Sequence, residues 1–137
     1  MTTAIQELEA FIEGWEETDE QNKKAFMRLK DYLESKPGIS IDFKSRPGVT
    51  YSYRASHENQ KDRPLFLMID VIDEEVRWLS VCFYGDMIDD LDEKGDFVPE
   101  GLLGEDAICF DLYKYDEEDL RYIMTRLDEA YKKAEES

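Results

Sequence analysis

The sequence predicts an α+β fold: a helical hairpin, a five-stranded, mainly antiparallel sheet running as a meander, and a C-terminal helix packed on that sheet. Three observations predict it. Apolar residues recur at helical spacing at both ends of the chain and at a spacing of two in the middle. The connections between the first four apparent strands are short, as antiparallel neighbours allow. The 137 residues carry 42% hydrophobic and 12% aromatic side chains, far above chains too polar to bury a core. A chain of this length is expected to form one domain over 1–137, with a helical hairpin at 3–36, a sheet at 39–113 and a C-terminal helix at 117–135.

The first element rests on Ile5, Leu8, Phe11, Ile12 and Trp15, which share one helical stripe. Thr18 with Gln21 three residues later reads as a capping box that opens a second helix. Phe26, Leu29, Tyr32 and Leu33 supply its buried side, and Lys36-Pro37-Gly38 stops it. From Ile39 the period becomes two. Ile39, Ile41 and Phe43 alternate with polar residues, the chain turns at Arg46-Pro47-Gly48, and Val49, Tyr51, Tyr53 and Ala55 alternate in return. That is a β-hairpin with one polar face.

Leu65–Asp73 and Arg77–Tyr84 are near-continuous apolar runs, the pattern of central strands covered on both faces. The 22 residues Gly85–Asp106 are expected to form a long loop that folds over the other sheet face or lines a site. Ala107–Tyr113 reads as the fifth strand. The last helix has Asp116 as its N-cap and Glu117, Glu118 and Asp119 in its first turn, where carboxylates complement the helix dipole.

The charge is −17, from 34 acidic and 17 basic side chains. Such a balance argues against direct binding to nucleic acid or an anionic membrane, because phosphate recognition draws on clustered cations. The excess is local: residues 85–119 hold 14 acidic side chains against Lys94 and Lys114. Within them, Asp90-x-Asp92-x-Lys94-Gly95-Asp96 approaches a calcium loop but has Lys94 at the fifth position and Gly101 at the twelfth, where ligands are required. No metal and no cofactor is expected. The opposite pattern appears over 44–63, where Lys44, Arg46, Arg54, Lys61 and Arg63 outnumber Glu58 and Asp62.

Candidate ligand-binding residues come from that basic, aromatic stretch: Arg46, Tyr51, Tyr53, Arg54 and His57, joined by Asp70 from the third strand. Arginines there can hold a carboxylate or phosphate through paired hydrogen bonds. Neutralisation by the chain's own acidic loop, or by that of a second copy, is the simpler use of them. His57 reads as an exposed surface residue of a polar loop. No nucleophile elbow, Walker motif or dinucleotide fingerprint is present. Asp70 calls either for an arginine partner, Arg54 or Arg77, or for a cleft, since an unpaired carboxylate inside a sheet is costly. Cys82 and Cys109 read as buried free thiols.

RPGVTYSYRA, PLFLMIDVID, RWLSVCFYGDMI, GLLGEDAICFDLY and EAYKKA together resemble a small family of uncharacterised bacterial α+β proteins with no assigned activity. The resemblance covers residues 39–135 and implies a compact fold without a known cofactor. With no apolar run of membrane-spanning length and no signal-peptide pattern at the N-terminus, the expected compartment is the cytoplasm. The functional expectation is a non-enzymatic interaction or small-ligand-binding domain that self-associates as a homodimer. Two readings compete with it: an acidic decoy that binds basic proteins by mimicking nucleic acid, and an enzyme with a pocket under the 85–106 loop.

Overall fold

The computed structural model describes residues 3–137. Helix α1 (Ala4–Glu13) opens with Thr3, whose hydroxyl accepts the Gln6 amide while the Gln6 side chain accepts the Thr3 amide. The capping box expected at Thr18 and Gln21 does not form. Helix α2 (Asn22–Glu34) instead follows a left-handed Gln21 that makes no side-chain cap. Glu17 substitutes, its carboxylate accepting the amides of Lys23 at 3.2 Å and Lys24 at 2.9 Å, two of the donors a helix start leaves unpaired. Phe26 of α2 meets Phe11 and Trp15 of the α1 segment.

The sheet contains six strands rather than five: β1 (Ile39–Arg46), β2 (Thr50–His57), β3 (Leu67–Ile72), β4 (Trp78–Tyr84), β5 (Asp96–Leu102) and β6 (Glu105–Leu112). All neighbours are antiparallel, and their spatial order is β1-β2-β3-β4-β6-β5. The meander holds through β4. Then β6 inserts beside β4, and β5 lies outside it as an edge. The residues expected to be a long loop therefore form a 3-10 turn at Gly85–Met87 and a strand. The reason β5 escapes period-two reading is its sequence, Asp-Phe-Val-Pro-Glu-Gly-Leu. Pro99 cannot donate to a ladder, and the register breaks between Val98 and Leu102, with Glu100 at φ 55°. A proline and a bulge are the usual protection of an edge strand.

Helix α3 (Glu117–Glu135) has the expected limits, and the Asp116 side chain accepts the Asp119 amide. Its start is tied to α2 by Arg28, which donates to both oxygens of Glu117 and to the Tyr115 hydroxyl. The guanidinium and the phenol hold the Glu117 carboxyl down to about 2. Further along, the Tyr32 hydroxyl and Lys36 both reach Asp128.

All three helices pack on one face of the sheet. Phe11 stacks on Tyr51, Phe26 meets Tyr53, Tyr122 meets Phe110 and Tyr131 meets His57, and these strand residues project to the same side by register. Leu67, Ile69 and Val71 of β3 and Leu79, Val81 and Phe83 of β4 complete this core, each at most 1% exposed. The coverage of β3 and β4 on both faces expected from their apolar runs is not supplied by helices on the second face, where Met68 and Cys82 are nonetheless only 9% and 4% exposed. Every helix–sheet aromatic contact lies on this one face.

Cys82 and Cys109 are not free thiols. They are direct register partners on β4 and β6 and are joined by a disulfide across 27 residues. Closing a loop of that length removes unfolded-state entropy worth about 3.5 kcal/mol. Urea unfolding with and without reductant is expected to show a loss of about that size on reduction, with the folded far-ultraviolet circular dichroism unchanged.

Candidate functional site

The alternation of each strand sorts the residues singled out in the sequence onto two sides. Tyr51, Tyr53 and His57 point at the helices. Arg46, Arg54 and Asp70 point away. The six do not converge.

On the helix side each has a structural partner. The Tyr51 hydroxyl donates to Glu74 at 2.6 Å while its ring stacks on Phe11. Tyr53 is fully buried and donates to Glu34 at 2.7 Å. Burial and that carboxylate hold its proton well above the ordinary phenol range. His57 is 6% exposed rather than a surface residue. Its Nδ1 accepts the Asn59 amide at 3.0 Å and its ring meets Tyr131 edge-on. The other edge of the ring presses on Gly38, where φ is +78° and any side chain would strike Nε2. The histidine thus pins the end of β2 to α3 and to the turn after α2. A base held this way has no free path to a substrate.

The helix-free face carries the remaining chemistry. One row of register partners crosses it: Lys44, Ser52, Asp70, Ser80 and Asp111, contributed in turn by β1, β2, β3, β4 and β6. A second row runs Asp42, Arg54, Met68, Cys82, Cys109 and Asp96. A third holds Arg46, Thr50, Ile72 and Trp78, with the Trp78 ring against Tyr113 at 4.8 Å. The face is therefore graded. Its β1–β2 end bears Lys44, Arg46 and Arg54, with Asp42 paired to Lys44 at 3.5 Å, its centre is apolar or hydroxylic apart from Asp70, and its β6–β5 end bears Asp111 and Asp96.

Asp70 occupies the centre. Neither expected arginine pairs with it. Arg77 joins Glu74 at 3.2 Å and lies over the Phe11 ring on the other side, while Arg54 donates its Nε to Ser52 at 3.1 Å. Asp70 Oδ1 is shut off from water and has no hydrogen-bond partner among the described residues. Burial pushes its carboxyl up, against the opposing pull of the Ser52 hydroxyl and the Arg54 and Arg46 charges.

A cleft of about 630 Å³ lies elsewhere, at the end of the sheet between the 58–66 loop, the 3-10 turn and the end of α3. Arg63 dominates it. The guanidinium grips Asp86 at 2.8 Å and Glu105 at 2.7 Å and lies over the Tyr84 ring, so both its charge and its donors are already used. The acidic stretch is likewise engaged locally. Asp90 accepts the amides of Lys94 and Gly95 and the Tyr122 hydroxyl, which closes the loop that resembled a calcium site. Asp106 accepts the Glu100 amide, and Asp119 faces Lys94. Among the described residues no group of three or more His, Cys, Asp or Glu side chains is placed to hold a metal ion. No helix there is long and apolar enough to cross a membrane.

No protein-family model matches this chain, and no curated protein or solved structure matches it significantly. The site therefore has to be read from its own chemistry.

The Asp70 environment has a measurable consequence. A carboxyl whose pKa is higher folded than unfolded favours folding while protonated, and that advantage is lost as pH rises from the ordinary carboxylate range through the folded value. Asp70→Asn is expected to raise the urea midpoint at pH 7 and to match the wild type near pH 3, where both carry an uncharged side chain. A lower midpoint at pH 7 would show that the charge is satisfied.

Proposed function

We propose that this chain is a non-enzymatic interaction domain that pairs with a second copy of itself through the helix-free face. The charge gradient across that face carries the reading. A two-fold axis parallel to the central strands lays the β1–β2 end of one copy over the β6–β5 end of its partner. The end with Lys44, Arg46 and Arg54, which also holds Asp42, then lies over the end of the other copy that bears Asp96 and Asp111, and the relation repeats on the opposite side, as a closed isologous pair requires. The axis passes between β3 and β4, the middle of the strand order. Asp70 of one copy comes over the β4 strand of the other, at the level of Ser80, its register partner within the chain.

Size is compatible with a modest interface. Six strands at about 4.8 Å spacing and roughly 20 Å in length cover about 500–600 Å² per copy, and about 1,000 Å² in total is the lower bound for a specific contact. Two sheets packed this way stay within about 30° of alignment. The decoy reading is weaker. It needs the carboxylates of 85–119 on one extended surface, and Asp86, Asp90, Glu105, Asp106, Asp116 and Glu117 each serve a local partner. The family resemblance supports placing the protein in the bacterial cytoplasm.

Sedimentation velocity tests the pairing. The wild type is expected to shift from 16.2 kDa toward twice that mass with rising concentration, and less so in high salt. Arg46→Glu with Arg54→Glu, and separately Asp96→Lys with Asp111→Lys, are each expected to weaken the dimer at least tenfold, and the two variants mixed are expected to restore it. A wild type that stays monomeric at millimolar concentration and low salt overturns the proposal.

A further inference from the structure

We propose that Cys82 and Cys109 are a reversible dithiol–disulfide site that exchanges with low-molecular-weight thiols and disulfides, such as glutathione, while the protein stays folded. The two residues are register partners with Cα atoms 4.1 Å apart. The β4–β6 ladder fixes that spacing on either side of them. Breaking the bond leaves the sulfurs facing each other, so neither state needs a rearranged fold. Both lie on the helix-free side, at 4% and 8% exposure. An incoming thiol has to displace neighbouring side chains such as Met68, but no helix. In a reducing compartment a disulfide is usually transient or redox-sensing rather than structural.

The surroundings of the two sulfurs differ, and that difference sets the direction of attack. Ser80 Oγ lies 3.6 Å from Cys82 Sγ. A disulfide sulfur carries no proton, so the hydroxyl is the donor, and it stabilises a thiolate formed at Cys82. Cys109 has the carboxylate of Asp96 as its register partner on β5, which disfavours a thiolate there, whereas Asp70 and Asp111 lie in the row of Ser80 and flank Cys82 only diagonally. Cys109 is also the more exposed residue of the two. A glutathione thiolate therefore attacks Cys109 Sγ, forming a mixed disulfide. The Cys82–Cys109 bond breaks, and its electron pair leaves on Cys82 as a thiolate. A second glutathione thiolate attacks the glutathione sulfur of the mixed disulfide, releasing oxidised glutathione and a Cys109 thiolate. Each protein thiolate takes up a proton according to its pKa. The net change is one protein disulfide and two glutathiones to one protein dithiol and one oxidised glutathione. The reverse sequence reoxidises the pair.

This inference holds whether or not the chain dimerises, and the test separates the two. The Arg46→Glu/Arg54→Glu variant, monomeric by design, is equilibrated without denaturant in glutathione buffers of graded ratio, quenched with acid, alkylated and weighed intact. The expected result is one transition between an unlabelled and a doubly alkylated chain, reached from both directions, with unchanged circular dichroism. Ser80→Ala in that background is expected to slow reduction several-fold. Cys82→Ser is expected to trap one glutathione on Cys109 more readily than Cys109→Ser traps it on Cys82. A chain that remains wholly oxidised or wholly reduced across the series, and converts only in urea, overturns the site. An unchanged rate in Ser80→Ala, or equal trapping by the two single-cysteine variants, overturns Cys82 as the leaving sulfur. Dimerisation is read separately, by the mass of the wild type in sedimentation.

Discussion

Burial of one face of β2, β3 and β4 against the three helices is the constraint from which the rest of the molecule follows. Tyr53, Ile69 and Val81 are register neighbours on that face and essentially inaccessible to water. Side chains in a strand alternate with a strict period of two, so a slip by one residue would turn the whole apolar set outward. The helices are therefore committed to one side. Whatever stands at the intervening positions, Asp70, Ser80 and Cys82 among them, is committed to the other.

That commitment explains why the chemistry suggested by the sequence separates. Tyr53 and Arg54 are adjacent in the chain and lie on opposite sides of the sheet, one donating to a helix carboxylate and the other beside a serine of the open face. His57 falls on the buried side and acts as a structural link to Tyr131 and Gly38. Asp70 falls on the open side, where strand neighbours screen one of its oxygens from water but supply no donor. A domain with one layer of helices leaves its second sheet face without a helix, and that face is the one the proposed pairing would use.

The acidic excess is largely a property of connections. Carboxylates of 85–119 cap α3, close the 90–95 loop, brace the β5 bulge and clamp Arg63 between two segments. These are short-range duties in which a carboxylate accepts backbone amides or a guanidinium. They use much of the charge one residue at a time. The aspartates of the open face, Asp96 and Asp111, are among those left over.

The sequence by itself determined the class of fold, the parity of β1 and β2 and the limits of α3, because periodicity and helix-end chemistry are local and leave a mark within a few residues. It also marked Asp70 as anomalous, since a carboxylate in an apolar run is visible without coordinates. Only the tertiary structure decided that 96–102 is an edge strand, because its proline and bulge erase the alternation and pairing with β6 supplies the order. Only the tertiary structure likewise set Glu17 as the cap of α2, His57 as a buried staple and Cys82 opposite Cys109. Each of these depends on a partner brought near by folding. A residue's own neighbours in the chain record its pattern, but its partner across a sheet depends on which strands lie side by side.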